Sequence, residues 1–92
     1  MSSFEKANFQ EQWVNKDEMY TVGYDSISGQ KIIAITISWM GWYDIYFRLT
    51  DDEFEWHKSD PDALNDLASR MAVDKGKKFY SDRLLLNEGP VS

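Results

Sequence analysis

Apolar and polar residues alternate with a period of two along three consecutive stretches of the chain. Tyr20, Val22 and Tyr24 mark the first, residues 20–27; Ile33, Ile35, Ile37 and Trp39 mark the second, residues 30–39. Tyr43, Ile45, Phe47 and Leu49 mark the third, residues 42–50. That spacing puts every second side chain on the same side of a strand, so each stretch predicts a strand with one apolar face. Ser28-Gly29 and Met40-Gly41 are turn signals between them. A strand and turn about every ten residues predicts an antiparallel meander.

After residue 50 the period changes. Thr50-Asp51-Asp52-Glu53 has the spacing of a capping box and predicts a short helix to about Lys58. Asp60-Pro61 starts a second one, with Asp as the cap and Pro at the first helical position. Leu64, Leu67, Ala68, Met71 and Ala72 then form the stripe of a helix laid on a core. Gly76 is its expected C-terminal cap, with Lys75 and Lys77 facing the negative end of the helix dipole. Residues 79–86 read equally as a last strand or a short helix, because Leu84-Leu85-Leu86 fits both. At the other end, Ser2 and Glu5 have capping-box spacing and Phe9 and Trp13 lie four apart, which predicts a helix over residues 2–14. The predicted architecture is α+β: a three- or four-stranded antiparallel sheet with helices packed on one face. Residues 1–92 form a single domain, with 87–92 as a flexible tail.

Composition supports a packed domain. The chain has 92 residues, 15% of them aromatic, too rich in rings for a disordered acidic tail. It has no cysteine, which favours a reducing compartment over a small secreted scaffold. The first residues lack the basic start and apolar run of a signal peptide. The longest apolar stretch, Ile32 to Ile37, is far short of the ~20 residues a bilayer span requires. The expectation is a cytoplasmic protein with no membrane partner.

Charge adds a direction. Between Asp51 and Asp66 stand seven acids against Lys58 alone, enough to account for the whole formal charge of −6. A patch of one sign steers basic partners and repels phosphate backbones, so direct nucleic-acid binding is not expected.

The chemistry of an enzyme is sparse. His57 is the sole histidine and sits among acids on a short helix, which predicts a surface position. Without cysteine or a second histidine there is no zinc pattern, and Asp60-Pro61-Asp62 lacks the central glycine of a calcium loop. No glycine motif for a phosphate is present, so no metal, cofactor or catalytic residue is assigned. The bases Lys75, Lys77, Lys78 and Arg83 are interrupted by Asp74 and Asp82 and read as a solvated helix end.

The sheet face opposite the isoleucine row is more informative. It carries Trp42, Asp44, Tyr46 and Arg48 on one strand and Ile32, Ala34, Thr36 and Ser38 on its neighbour. Trp, Tyr and Arg are enriched at binding hot spots. Two readings stay open: the N-terminal helix covers this face and makes a second small core, or the face is a partner surface. A cleft lined by Tyr46, Asp44 and Arg48 is the enzyme reading, set aside for want of a base, nucleophile or metal cage.

The run Tyr24-Asp25, Ser28-Gly29-Gln30, then Gly41-Trp42-Tyr43-Asp44-Ile45-Tyr46-Phe47-Arg48-Leu49-Thr50-Asp51-Asp52-Glu53 resembles small bacterial immunity proteins of polymorphic-toxin systems. The resemblance covers the central third of the chain, with a general match in size and acidity. It implies a protein that neutralises a cognate toxin, often a basic nuclease, and it carries over no residue-level role. Combined with the charge map, it points to a basic protein partner met by Asp51, Asp52, Glu55, Asp62 and Asp66. Trp56 is either an anchor in that contact or part of the core. Two alternatives remain: an assembly protein forming a homo-oligomer through its sheet, and a phage or plasmid DNA mimic.

Overall fold

In the computed structural model the described residues are 4–38, 41–74 and 78–89. Five strands form one antiparallel sheet in the order of the sequence: β1 (Phe9–Asn15), β2 (Tyr20–Asp25), β3 (Lys31–Ser38), β4 (Trp42–Arg48) and β5 (Leu84–Asn87). Between β4 and β5 the chain leaves the sheet to form α1 (Asp51–Ser59) and α2 (Pro61–Asp74), which lie over β2 and β3. The fold is therefore α+β with helices on one face, and the sheet has five strands where three or four are predicted.

The three predicted strands form because their apolar rows are buried by the helices. Ile33 and Ile35 of β3, Ile45 and Phe47 of β4, and Tyr20 and Val22 of β2 meet Leu64, Leu67, Ala68 and Met71 of α2 in one core. Phe54 of α1 closes the same core. The register is continuous across β3 and β4, from Ile32 opposite Arg48 to Ser38 opposite Trp42. Asp25 ends β2 by bonding its own turn: its carboxylate accepts from the Ile27 amide at 2.9 Å and the Ser28 hydroxyl at 3.1 Å, and Gly29 takes a left-handed φ of 77°. Ile27, read as strand from the alternation, is exposed in that turn.

Residues 9–15 are a strand, not the helix that the spacing of Phe9 and Trp13 suggests. Phe9 pairs with Asp25 and Glu11 with Gly23, whereas Trp13 pairs with Val22. Gln12 is left over as a bulge. One extra residue turns the strand by one step, so Phe9 and Trp13, which a regular strand would place on one side, point to opposite faces. Trp13 packs against the helix-side core, and Phe9 against a second cluster on the other face. Ser2 lies outside the described residues, and Glu5 precedes only a short 3-10 turn at Lys6–Asn8.

β5 uses the same device. Leu84 pairs with Phe47 and Leu86 with Tyr46, with the register broken between them at Leu85. Leu84 joins the helix-side core, and Leu85 and Leu86 join the second cluster. The residues read as strand or helix thus contain a 3-10 turn at Ser81–Arg83 followed by this strand. Asn87 belongs to β5, and the Glu88 amide donates to Asp44 O at 3.1 Å, so the first part of the expected tail is paired with the sheet. Its last residues, 90–92, lie outside the described residues, as do Gly76 and its flanking lysines.

Both helices begin as predicted. The Thr50 hydroxyl accepts from the Glu53 amide at 3.1 Å while the Glu53 carboxylate accepts from the Thr50 amide at 2.9 Å. Asp60 accepts from the Ala63 amide at 3.3 Å ahead of Pro61. A polar lock then fixes α2 on the sheet: the Asn65 side-chain oxygen accepts from the Tyr20 hydroxyl at 2.6 Å and from Asn15 Nδ2 at 3.1 Å.

Candidate protein-binding surface

The inner faces of α1 and α2 are occupied by the core, and that decides which residues the outer faces present. In α1, Phe54 and His57 point inward. A rotation of about 100° per residue then turns Asp51, Asp52 and Glu55 together to the opposite side. In α2, the buried Leu64, Leu67, Ala68 and Met71 turn Asp62 and Asp66 outward. All five acids named from the sequence are exposed. Two have partners on their own helix: Glu55 with Lys58 at 3.8 Å, and Asp66 with Arg70 at 2.8 Å. Such exposed pairs are worth roughly 0–1 kcal/mol and exchange readily. Asp51, Asp52 and Asp62 have no ion pair among the described residues.

The other two acids of the segment serve the fold. Glu53 is shielded and makes an ion pair with Arg83, which ties the start of α1 to the turn before β5. Asp60 caps α2. Trp56 is half-buried and packs on the helix-side core, so only part of its ring is available to a partner.

His57 is not on the surface. It is 8% exposed, packed edge-on to Phe54 at 4.9 Å and near Trp13 at 6.0 Å. Its Nδ1 lies 2.5 Å from Phe54 O, so Nδ1 carries the hydrogen and donates it. Sequence alone gives the acidic segment in which it stands, and not its helical face. Its place three residues after Phe54 is the signal that was available.

The opposite sheet face is mostly closed. Tyr46 is 6% exposed and packs with Ile32 and Ala34 under Phe4 and Phe9; its ring lies 5.1 Å from that of Phe4 and 5.7 Å from that of Phe9. The second small core therefore exists, covered by an extended N-terminal segment in place of a helix. Burial, with the carboxylates of Asp44 and Glu88 nearby, pushes the Tyr46 phenol up to about 12. Asp44 accepts from the Thr36 hydroxyl at 2.8 Å, and Arg48 donates to Asp82 O at 3.3 Å. The four residues singled out on this face thus do not line one cleft: Tyr46 is inside, Asp44 and Arg48 are held by neighbours, and Trp42 stands 69% exposed at the end of the sheet.

A further exposed feature has no counterpart in the sequence reading. Val73 and Phe79 are 84% and 85% exposed and flank one groove at the end of α2. Val73 falls outside the apolar stripe of α2, which was the available sign that it would face solvent. Among the described residues, no three His, Asp or Glu side chains are placed to hold a metal ion, and no helix is long and apolar enough to cross a membrane. Comparison with protein-family models, with curated proteins and with solved structures gives no match to this chain.

Proposed function

We propose that this protein is an acidic binding module that occupies a positively charged protein partner through the outer faces of α1 and α2. The observation that carries the reading is the division of labour within each helix. The apolar half is used by the core, and the other half presents Asp51, Asp52, Glu55, Asp62 and Asp66 to solvent. A field of one sign on a rigid support accelerates and selects encounter with a basic protein. The resemblance of residues 24–53 to immunity proteins makes a bacterial toxin the partner of choice, and neutralisation by occupancy the mode of action. Self-association through the sheet has less support, because the bulge at Gln12 interrupts one edge and β5 at the other edge is short.

The test is a pull-down from native cytosol at low salt, eluted along a salt gradient. The wild-type bait runs beside one carrying Asp51→Lys, Asp52→Lys, Glu55→Lys and Asp62→Lys. Loss of a basic protein from the variant bait supports the reading. Retention of the same partner at the same salt by both baits refutes it.

A further inference from the structure

The groove at the end of α2 is a built feature of the fold. The Asp74 carboxylate accepts from the Lys78 amide at 2.9 Å and the Tyr80 amide at 3.2 Å, so the backbone around Phe79 is fixed while its ring stays in solvent. The groove has a volume of about 860 Å³ and is lined by Val73, Phe79 and Tyr80, with Ser69, Arg70 and Lys78 among its polar rim. Val73 and Phe79 thus place two large, exposed apolar side chains on one groove.

Its position on α2 says what would fill it. At about 100° and 1.5 Å per residue, Asp62, Asp66, Ser69 and Val73 fall within about 60° of one line along the helix. Val73 is about 10 Å from Asp66 and about 16 Å from Asp62 along that line. One stripe thus runs from two acids to an apolar end. Up to its last turn the stripe offers side chains only, since the main chain of α2 is paired within the helix there, so an extended segment would find few backbone partners along it. A helix satisfies its own backbone and suits such a stripe. A second copy of this chain is disfavoured, because its α2 presents the same acids and its apolar stripe is already buried.

We propose that the groove beside Val73 and Phe79 takes an apolar side chain from an amphipathic helix of the basic partner, with Lys or Arg about seven and eleven positions from that anchor meeting Asp66 and Asp62. The spacing follows because two helices running side by side share the same rise. The proposal rests on the acidic-face reading and adds to it a site where affinity, as distinct from steering, is generated.

The probe is a synthetic 18-residue alanine-rich helix with one leucine anchor and lysines seven and eleven positions away. It is titrated into the full ¹⁵N-labelled chain and followed by amide shifts and fluorescence anisotropy. One control peptide has the leucine changed to glutamine, and another has both lysines so changed. Phe79→Ser and Val73→Ser remove the anchor site; Asp62→Lys with Asp66→Lys removes the acids. Circular dichroism checks each fold, and either serine variant alone can decide. The expected result is shifts at Val73, Phe79 and Tyr80, and about a tenfold or greater loss of affinity with either serine variant or the leucine-free peptide. The lysine-free peptide and the Asp variant lose affinity as well. If the serine variants bind as the wild type does while the Asp variant fails, the groove is not the anchor and the inference is overturned, with the acidic-face reading intact. If only the serine variants fail, the stripe does not act as one site; the inference is overturned and the acidic-face reading loses support with it. Absence of peptide binding overturns the inference outright, and the pull-down then decides the acidic face on its own.

Discussion

Deleting Gln12 should leave the protein folded, whereas deleting Val14, two residues on, should cripple it. The β1–β2 ladder pairs Glu11 with Gly23 and Trp13 with Val22, so removing Gln12 joins the two halves into a regular strand with every pair retained. Phe9 then stays over the second cluster and Trp13 stays on the helix-side core. Removing Val14 also yields a regular strand of the same length, but one in which Gln12 faces Val22 and Trp13 faces Thr21. Trp13 leaves the core and an amide side chain takes its place.

The two deletions therefore have equal ladders and differ in which side chain points inward. Withdrawing a large apolar side chain costs about 1.5–3 kcal/mol. Burying an amide without partners costs about 1–3 kcal/mol more. The expected gap is at least about 2.5 kcal/mol, which for a domain of this size is a difference in Tm on the order of 10–20 °C. Thermal unfolding followed by far- and near-ultraviolet circular dichroism measures it. Equal losses from the two deletions would refute the claim that the bulge sets the faces of β1.

The remaining predictions concern other joints of the fold. Glu53→Ala leaves the Thr50 cap in place but removes the acceptor of the Thr50 amide and the partner of Arg83, so it should cost about 1 kcal/mol or more in urea denaturation; an unchanged stability would mean that the carboxylate half of the capping box contributes nothing. A methyl at Gly23 would meet the carbonyl oxygen of Gln10 across the ladder, so Gly23→Ala should detach β1. Hydrogen exchange should then speed up at β1 amides while those at the β3–β4 ladder remain protected. The Tyr46 phenol, raised to about 12 from an ordinary value near 10, is held protonated by the folded state. Its contribution to stability is complete below about pH 10 and is lost as pH rises to about 12. Tyr46→Phe should flatten that alkaline decline in urea titrations, and an unchanged slope would remove Tyr46 as its source.

How much of this was legible in the sequence depended on whether a segment keeps its register unbroken. β2, β3, β4 and both helices run without a bulge, so the row each turns to the main core keeps its period of two or 3.6, although β3 and β4 also place Ile32, Ala34 and Tyr46 in the second cluster. The helices also carry start signals at Thr50 and Asp60. β1 and β5 change faces at a bulge. In β1 the extra residue leaves Phe9 and Trp13 four apart, the same spacing as a helical pair. In β5 it leaves three leucines in a row with no period at all. Neither bulge has a glycine or proline to announce it, and both depend on the register of a neighbour that the local sequence does not encode. His57 departs from expectation for a related reason: it stands in an acidic segment, but its helical neighbour is Phe54. The five exposed acids were legible, because an amphipathic helix with a known inner face has a known outer one. The groove was not, because it joins Val73 of a helix to Phe79 of a loop, and the bonds from Asp74 to the Lys78 and Tyr80 amides that help to bring them to one place leave no local sequence signal.

These observations separate what folds the chain from what it would bind with. Asp51, Asp52, Asp62, Val73 and Phe79 are exposed and make no core contact, so single changes there should alter stability by no more than about 1 kcal/mol, most of it from the helix dipole at the first-turn acids. Glu53, Asp60 and Asp74 have the same charge as the exposed acids, but their carboxylates are engaged with backbone amides or Arg83. Reversing any of them would damage the fold first and binding only as a consequence. A charge-reversal scan across all the acids of residues 51–74 should thus divide into two groups in a stability assay before any partner is added. That division, drawn from hydrogen bonds alone, identifies which variants can report on binding.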